Sequence, residues 1–156
     1  MKKGINKKSI LIILGILIII GIDQLIKVLT IKHLYNSSAI AINGVLKFTY
    51  VENTGGAFGI GSNSLIAFIL TNIIVIGIII MLLIKKRDEL SLTSIISASM
   101  IVAGGMGNLI DRIFRGHVID YIDISPLFNY PVFNFADMCI VIRSNNSWNK
   151  YNFWER

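Results

Sequence analysis

This sequence is poor in charged residues and contains one cysteine. Charged side chains make up 15% of its 156 residues, against 54% that are hydrophobic, and the mean hydropathy is +0.69. These values lie outside the range of soluble globular domains and indicate a membrane protein. The lone Cys139 excludes an internal disulfide and a cysteine-rich metal site, so it is interpreted as a small buried apolar residue.

Several functional signatures are also missing. The two histidines, His33 and His117, are far apart and have no third ligand nearby, which argues against a histidine metal site. No Ser/His/Asp or Cys/His set, internal repeat or low-complexity linker is recognisable. The net charge is +6, but the basic residues flank apolar runs, so we expect no nucleic-acid partner.

Apolar runs dominate what is present. Three of them, at about 9–29, 64–84 and 92–114, are each long enough to cross a hydrocarbon core of about 30 Å, which needs roughly 20 helical residues. A fourth begins near residue 131 and stops at 142, about half of the length required. The segment 9–29 ends without a small-residue cleavage site, so it is interpreted as a retained helix.

Lysine and arginine counts predict the orientation of these spans. The segment 1–8 carries four such residues, the loop 85–89 three and the tail 143–156 three, whereas the loop 35–63 carries one and the stretch 116–130 none. Both termini are therefore expected on the cytoplasmic side. Residues 116–130 then lie on the outer side, next to the start of the fourth apolar run.

The loop between the first two spans has a different pattern. Residues 45–51 alternate in a period of two, and the turn-forming letters NTGG follow, which predicts short strands. We therefore expect an all-α polytopic membrane protein with a single domain over residues 1–156. It should contain a four-transmembrane-helix bundle with a small extracytoplasmic β-sheet and a truncated fourth helix.

Polar residues inside apolar runs need an explanation, because ionisable groups there are costly. Asp23 and Lys27 are four residues apart and share one helix face, which fits either a structural ion pair or a functional site. Gly104, Asn108 and Arg112 share another face, with Asp111 beside it. Taken alone, that pattern is more typical of a helix-packing seam with an asparagine hydrogen bond.

Asp120 and Asp137 lie at the outer ends of the third and fourth apolar runs, and no basic residue is clearly committed to either. If these ends meet, one carboxyl group keeps a proton and the other can deprotonate a water molecule. The residues alone leave an intramembrane aspartyl hydrolase and a proton-coupled transporter equally open. Asn53 is interpreted as a turn cap, Asn134 as a helix cap and Asp123 as a solvated loop charge.

Five short sequence motifs help to distinguish the hydrolase from the transporter. In order along the chain they are DQLIK at 23–27, ENTGGAFG at 52–59, GGMGNLIDR at 104–112, VIDYID at 118–123 and FNFAD at 133–137. This set closely resembles lipoprotein signal peptidase, also called signal peptidase II, a bacterial aspartyl protease. The resemblance spans about residues 10–142.

The resemblance implies a site and a substrate. It makes Asp120 and Asp137 the catalytic dyad and implies no metal or other cofactor. The implied substrates are diacylglyceryl-modified prolipoproteins, cut just before the lipidated cysteine at the outer leaflet of the bacterial cytoplasmic membrane, in contact with membrane lipid. A monomer and inhibition by globomycin are also expected. The implied supporting residues are Asp23, Lys27, Asn53, Gly104, Asn108, Arg112, Asn134 and Ala136.

The sequence departs from the family pattern in two places. Gly56 stands where the family usually has alanine. More seriously, the tail 143–156 contains four asparagines and no hydrophobic run, where the family continues its fourth helix. We interpret this as a frameshifted or truncated end, so an inactive, C-terminally damaged copy of the peptidase is the alternative to an active enzyme. The alternative to a damaged end is a natural variant whose Trp148, Tyr151 and Trp154 lie at the membrane interface.

Overall fold

Four helices and a three-stranded sheet make up the computed structural model, which describes residues 7–55, 65–86 and 89–148. Gly56 and residues 149–156 of the atypical tail 143–156 lie outside this part of the chain. The elements are α1 (Lys7–Leu34), β1 (Ala39–Ile42), β2 (Leu46–Asn53), α2 (Leu65–Lys86), α3 (Leu92–Arg115), β3 (Val118–Asp123) and α4 (Phe135–Trp148).

The three long spans predicted from the sequence are confirmed. Ser9–Leu34, Leu65–Lys86 and Leu92–Arg115 are each long and apolar enough to cross a membrane. Only 6% of the most apolar stretch of α1 and of α2 is buried within the protein, against 50% for α3. Helix α3 is therefore the centre of the bundle, and most of the apolar surface of the other two helices is not covered by the described part of the chain.

Small residues let the neighbouring helices approach α3 closely. A methyl group on Gly105 would stand 3.1 Å from the Ile76 side chain of α2. On this side Ile76 and Leu83 pack with Ile95, Val102 and Leu109 of α3 in an apolar cluster. Ser91 caps the start of α3 by accepting the Ser94 N–H at 3.2 Å, and Gly116, with φ of 80°, ends it.

The fourth helix is shifted along the chain relative to the fourth apolar segment of the sequence. Helix α4 begins at Phe135 and continues to Trp148, whereas the sequence predicted an apolar segment over 131–142. Asn134 accepts the Asp137 N–H at 3.0 Å, which confirms it as the helix cap. The 14 residues of α4 correspond to about 21 Å, short of a hydrocarbon core of about 30 Å. The buried position predicted for Cys139 in this helix is confirmed.

The sheet has the order β1-β2-β3 with antiparallel neighbours. Strand β2 confirms the strand predicted near 45–51, whereas β3 lies in a stretch that the sequence did not assign. The interpretation of Asp123 as a solvated charge was wrong, because Asp123 is buried in β3. Burial alone would raise its pKa, but hydrogen bonds from Ser125 and Lys47 hold the pKa of Asp123 below its usual value.

Candidate active site

Asp120 and Asp137 reach one site from different elements. Asp120 is the third residue of β3, opposite Val51 of β2, and its side chain is 2% exposed. Asp137 lies in the first turn of α4. Both border a cavity of about 510 Å³, which is also lined by Asn53, Asn108, Arg112 and Tyr130.

Asn134 joins the two carboxyl groups. Its side-chain amide donates to Asp120 Oδ1 at 2.7 Å. Its backbone N–H donates to Asp137 Oδ2 at 3.2 Å, while its Oδ1 accepts the Asp137 N–H. This reciprocal pair is a capping box, so the bonds that start α4 also fix the Asp137 side chain beside Asp120.

Two further asparagines complete the shell around the pair. Asn53 donates to Asp120 Oδ2 at 2.8 Å, and it also accepts the Gly55 N–H at 3.0 Å, as the predicted turn cap should. Asn108 of α3 donates to Asp137 Oδ1 at 2.8 Å. Each carboxyl group is thus held by two donors and cannot rotate away without losing both.

The environment makes ionisation of Asp120 unfavourable. Burial and the negative charge of Asp137 raise the pKa of Asp120 to about 6, although hydrogen bonds from Asn53 and Asn134 and the charge of Lys27 oppose this shift. Two acids in one buried site share a proton over a range of pH and titrate as a pair. Such a pair can supply a general acid and a general base at once.

A buried ionic cluster lies behind the pair. Lys27 is 0% exposed, and its Nζ contacts Asp23 Oδ2 at 2.9 Å, Asp111 Oδ2 at 2.7 Å and Asn108 Oδ1 at 3.0 Å. The predicted pair of Asp23 and Lys27 is therefore formed, and Asp111 joins it. Because Lys27 holds the oxygen of Asn108, the amide of Asn108 is directed to Asp137.

Arg112 closes the cavity on the side of α2. Its guanidinium donates to the Asn108 carbonyl at 3.3 Å and to the Gly55 carbonyl at 3.0 Å, and it lies 5.5 Å from the Phe68 ring centroid. Its Nε is buried and has no hydrogen-bond partner among the residues that the structure describes. A fixed positive charge next to two acids favours the state in which one of them is ionised.

Gly104 and Ala136 bring α3 and α4 together below the pair. A methyl group on Gly104 would overlap the Ala136 carbonyl oxygen, and Ala136 itself is 0% exposed. Gly107 has the same role toward α1, since a methyl group there would overlap Asp23 Oδ2. The two glycines of α3 therefore allow α4 and α1 to pack closely against it on either side of the site.

Sequence reasoning missed three residues that support this site, Gln24, Arg115 and Tyr121, and assigned no role to a fourth, Asp111. Gln24 donates to Asp111 Oδ1 at 3.2 Å and accepts Arg115 at 3.0 Å, and Arg115 also pairs with Asp111. Tyr121 accepts the Phe135 N–H at 3.1 Å at the start of α4. Asp111 was noted only as lying beside the face of Asn108. Within the described residues, no three His, Cys, Asp or Glu side chains are grouped to hold a metal ion.

Comparison with known proteins identifies the family. The profile described as "Signal peptidase (SPase) II" matches residues 15–144. The chain belongs to the signal peptidase II family. The lipoprotein signal peptidase of Halothermothrix orenii is 39% identical over 128 residues, covering 81% of this chain and 85% of that protein. The lipoprotein signal peptidase of Clostridioides difficile is 37% identical over 133 residues, covering 85% and 88%.

Solved structures agree with this family. A bacterial membrane enzyme determined by the in meso method at 1.9 Å resolution superposes with a TM-score of 0.81 at 28% identity, covering 92% of this chain and 94% of that one. A second such structure, at 2.3 Å, gives a TM-score of 0.78. The chain is therefore an integral protein of the cytoplasmic membrane and an aspartic peptidase of the signal peptidase II type that processes prolipoproteins.

Proposed function

We propose that Asp120 and Asp137 are the catalytic dyad with which this peptidase cuts diacylglyceryl-modified prolipoproteins just before the lipidated cysteine. The observation that carries the proposal is their common environment. Two carboxyl groups, that of the buried Asp120 and that of the partly buried Asp137, border one cavity, and Asn134 bonds to both. The third acid of that lining, Glu52, is 46% exposed and accepts a hydrogen bond from Tyr50 at 2.8 Å, so it does not share this environment.

The chemistry follows from a shared proton. The ionised carboxylate takes a proton from a water molecule, whose oxygen attacks the scissile carbonyl carbon, while the protonated partner donates to the carbonyl oxygen. The tetrahedral intermediate collapses when the carbon–nitrogen bond breaks and the leaving nitrogen takes a proton from the dyad. The signal peptide leaves with a new carboxylate, and the lipidated cysteine leaves with a free amine.

The supporting residues act on this pair in two ways. Asn53, Asn108 and Asn134 hold the carboxyl groups in place through hydrogen bonds of 2.7–3.2 Å. A second set fixes the helices and charges around them. It consists of Asp23, Lys27, Gly104, Arg112 and Ala136. Because the site is held before substrate arrives, little free energy is spent on reorganisation during the reaction.

The lysine and arginine counts favour an orientation with the dyad near the outer leaflet and both termini in the cytoplasm. A substrate signal helix inserted with its N-terminus inside would then present its cleavage site at the depth of the dyad. The apolar wall of the cavity, which includes Val51, Pro131 and Ile140, suits a lipidated cysteine and contact with membrane lipid. The chain is proposed to act as a monomer and to be inhibited by globomycin.

The test is a cleavage assay with the purified full chain in detergent. Two precursor peptides are compared, which differ only in whether the cysteine carries diacylglycerol, and products are identified by mass spectrometry. The proposal expects one product that begins with the lipidated cysteine, no cut in the unmodified precursor, and inhibition by globomycin. Equal cleavage of both precursors, or a cut at another bond, would contradict it.

A further inference from the structure

One polar residue lies in the packing face of α2 and is not part of the site described above. The positions of α2 that are at least partly buried form a stripe at helical spacing: Leu65, Phe68, Ile69, Asn72, Ile76, Ile79 and Leu83. Six of the seven are apolar, as expected for a helix packed in a membrane. Asn72 is the exception.

Two contacts between α2 and α3 put Asn72 level with Asn108, which lines the dyad cavity. Phe68, one turn before it on the same face, contacts Arg112 of α3, and Ile76, one turn after it, contacts Gly105. Since α2 and α3 pack along these two contacts, Asn72 is level with residues 108–109. Asn108 is the residue that donates to Asp137 at 2.8 Å.

The side chain of Asn72 has no hydrogen-bond partner within residues 7–55, 65–86 and 89–148. An unpaired amide inside the hydrocarbon region is costly, so a polar side chain there normally bonds to a neighbouring helix or to a ligand. Among the residues of α3 at this level, Leu109 is apolar and Gly105 is packed against Ile76. The side chain of Asn108 is already bonded to Asp137 and Lys27.

The substrate of this reaction has unpaired groups at the same depth. A peptide bond in a helix has its carbonyl and N–H bonded within the helix, so the residues around the scissile bond must unwind before hydrolysis. In a membrane, each unwound residue exposes a donor and an acceptor that water cannot satisfy. An asparagine amide offers one donor group and one acceptor oxygen, which together match a backbone peptide group.

We propose that Asn72 is a substrate-positioning residue that hydrogen-bonds the unwound backbone of the signal peptide, a few residues before the scissile bond. It lies one turn from Phe68, which contacts Arg112 of the cavity lining. The signal peptide would therefore pass along the face of α3 between α2 and α4. This proposal rests on the assignment of the dyad.

The experiment compares Asn72→Leu, Asn72→Ala and Asn72→Gln with the matched control Thr71→Val. Thr71 is the adjacent polar residue of α2, but it lies on the exposed side of the helix. Steady-state cleavage of a diacylglyceryl-modified precursor gives kcat and KM for each chain, and thermal unfolding in the same detergent reports folding. Because the bond forms on binding, we expect KM to rise about tenfold in Asn72→Leu and Asn72→Ala, the size of one lost hydrogen bond.

The expected pattern is a raised KM with kcat and the unfolding temperature nearly unchanged, partial recovery in Asn72→Gln and no change in Thr71→Val. Unchanged KM in Asn72→Leu and Asn72→Ala overturns the proposal. So does a loss of activity that follows a lowered unfolding temperature or a changed oligomeric state, because Asn72 would then be a packing or association residue. An Asp120→Asn chain run in parallel tests the dyad separately, since it should lose kcat with Asn72 intact.

Discussion

Gly104 of α3 and Ala136 of α4 meet backbone to backbone, one residue before the Asp137 carboxyl group. A methyl group on Gly104 would overlap the Ala136 carbonyl oxygen and stand 3.1 Å from Ile140 Cγ1. The contact is made by main chain on the α4 side, so a rotamer change cannot relieve it. The position of Asp137 relative to Asp120 therefore depends on the absence of a side chain at residue 104.

Gly104→Ala should push α4 away from α3 and separate the two acids. We expect the free energy of unfolding to fall by about 1–3 kcal/mol, as for other overpacked sites, and kcat to fall by at least about tenfold, because small displacements of catalytic groups are costly. The matched control is Gly77→Ala in α2, where a methyl group would meet nothing within 4 Å. Equal activity of the two variants would show that the helix contact does not position the dyad.

Lys27→Met tests the ionic cluster. The substitution leaves Asp23 and Asp111, at 1% and 0% exposure, without the cation that contacts both. Removing one partner of a buried ion pair typically costs about 3–5 kcal/mol, so we expect a large fall in thermal stability and in activity. Thermal unfolding and cleavage are measured on the same preparations.

Lys47→Met is the control for that experiment. Lys47 also pairs with an aspartate, Asp123, but its side chain is 39% exposed. Because Lys47 is exposed and the Ser125 N–H still bonds Asp123 in its absence, we expect a loss of about 0–1 kcal/mol, so this variant should stay close to the parent. If Lys27→Met were as stable as Lys47→Met, the cluster would not be holding α1 to α3.

The raised pKa of Asp120 predicts a pH-dependent difference in stability. Burial and the charge of Asp137 raise this pKa from 3.8 to about 6, so the folded chain binds the proton more tightly than the unfolded chain does. The resulting stabilisation is fully present below about pH 4 and is lost as the pH rises through about 6. Asp120→Asn does not ionise and should lack this loss.

This pH-dependent stabilisation is measured by thermal or chemical unfolding of the parent and of Asp120→Asn at about pH 3 and about pH 8. From about pH 3 to about pH 8, the free energy of unfolding of the variant should rise relative to that of the parent by about 3 kcal/mol, at about 1.4 kcal/mol per pKa unit. Any constant effect of the altered hydrogen bonds cancels, because only the change with pH is used. A difference that stays constant, or moves toward the parent, would show that the pKa of Asp120 is not raised.

The sequence predicted the long helices and much of the site, because those patterns are local. Apolar runs fix spans by length, and Asp23 and Lys27 are paired by their spacing in one helix. Asn134 caps α4, as its position before an apolar run predicted. These inferences need no knowledge of how the helices face each other.

Contacts that depend on the angle between elements could not be predicted in this way. Asp111 enters the cluster of Lys27 only because α3 turns that side toward α1. Asp123 was taken for a solvated charge because the sequence of β3 carries no strand signal distinct from the stretch around it. The ion-pair partner of Asp123, Lys47, is 76 residues away in the chain, so the pairing could not be read from spacing. The extension of α4 to Trp148 was missed because the tail lacks an apolar pattern.

The central claim is that Asp120 and Asp137 carry out the hydrolysis, and the kcat of Asp120→Asn and Asp137→Asn tests it most directly. Asp123→Asn, on the same strand as Asp120, is the matched control, and thermal unfolding shows whether each chain is folded. We predict that both dyad variants fold and lose at least about 10²–10³-fold in kcat, while Asp123→Asn cleaves at a rate near that of the parent. A folded Asp120→Asn or Asp137→Asn chain that makes the same product at more than about a tenth of the parent kcat would contradict the assignment.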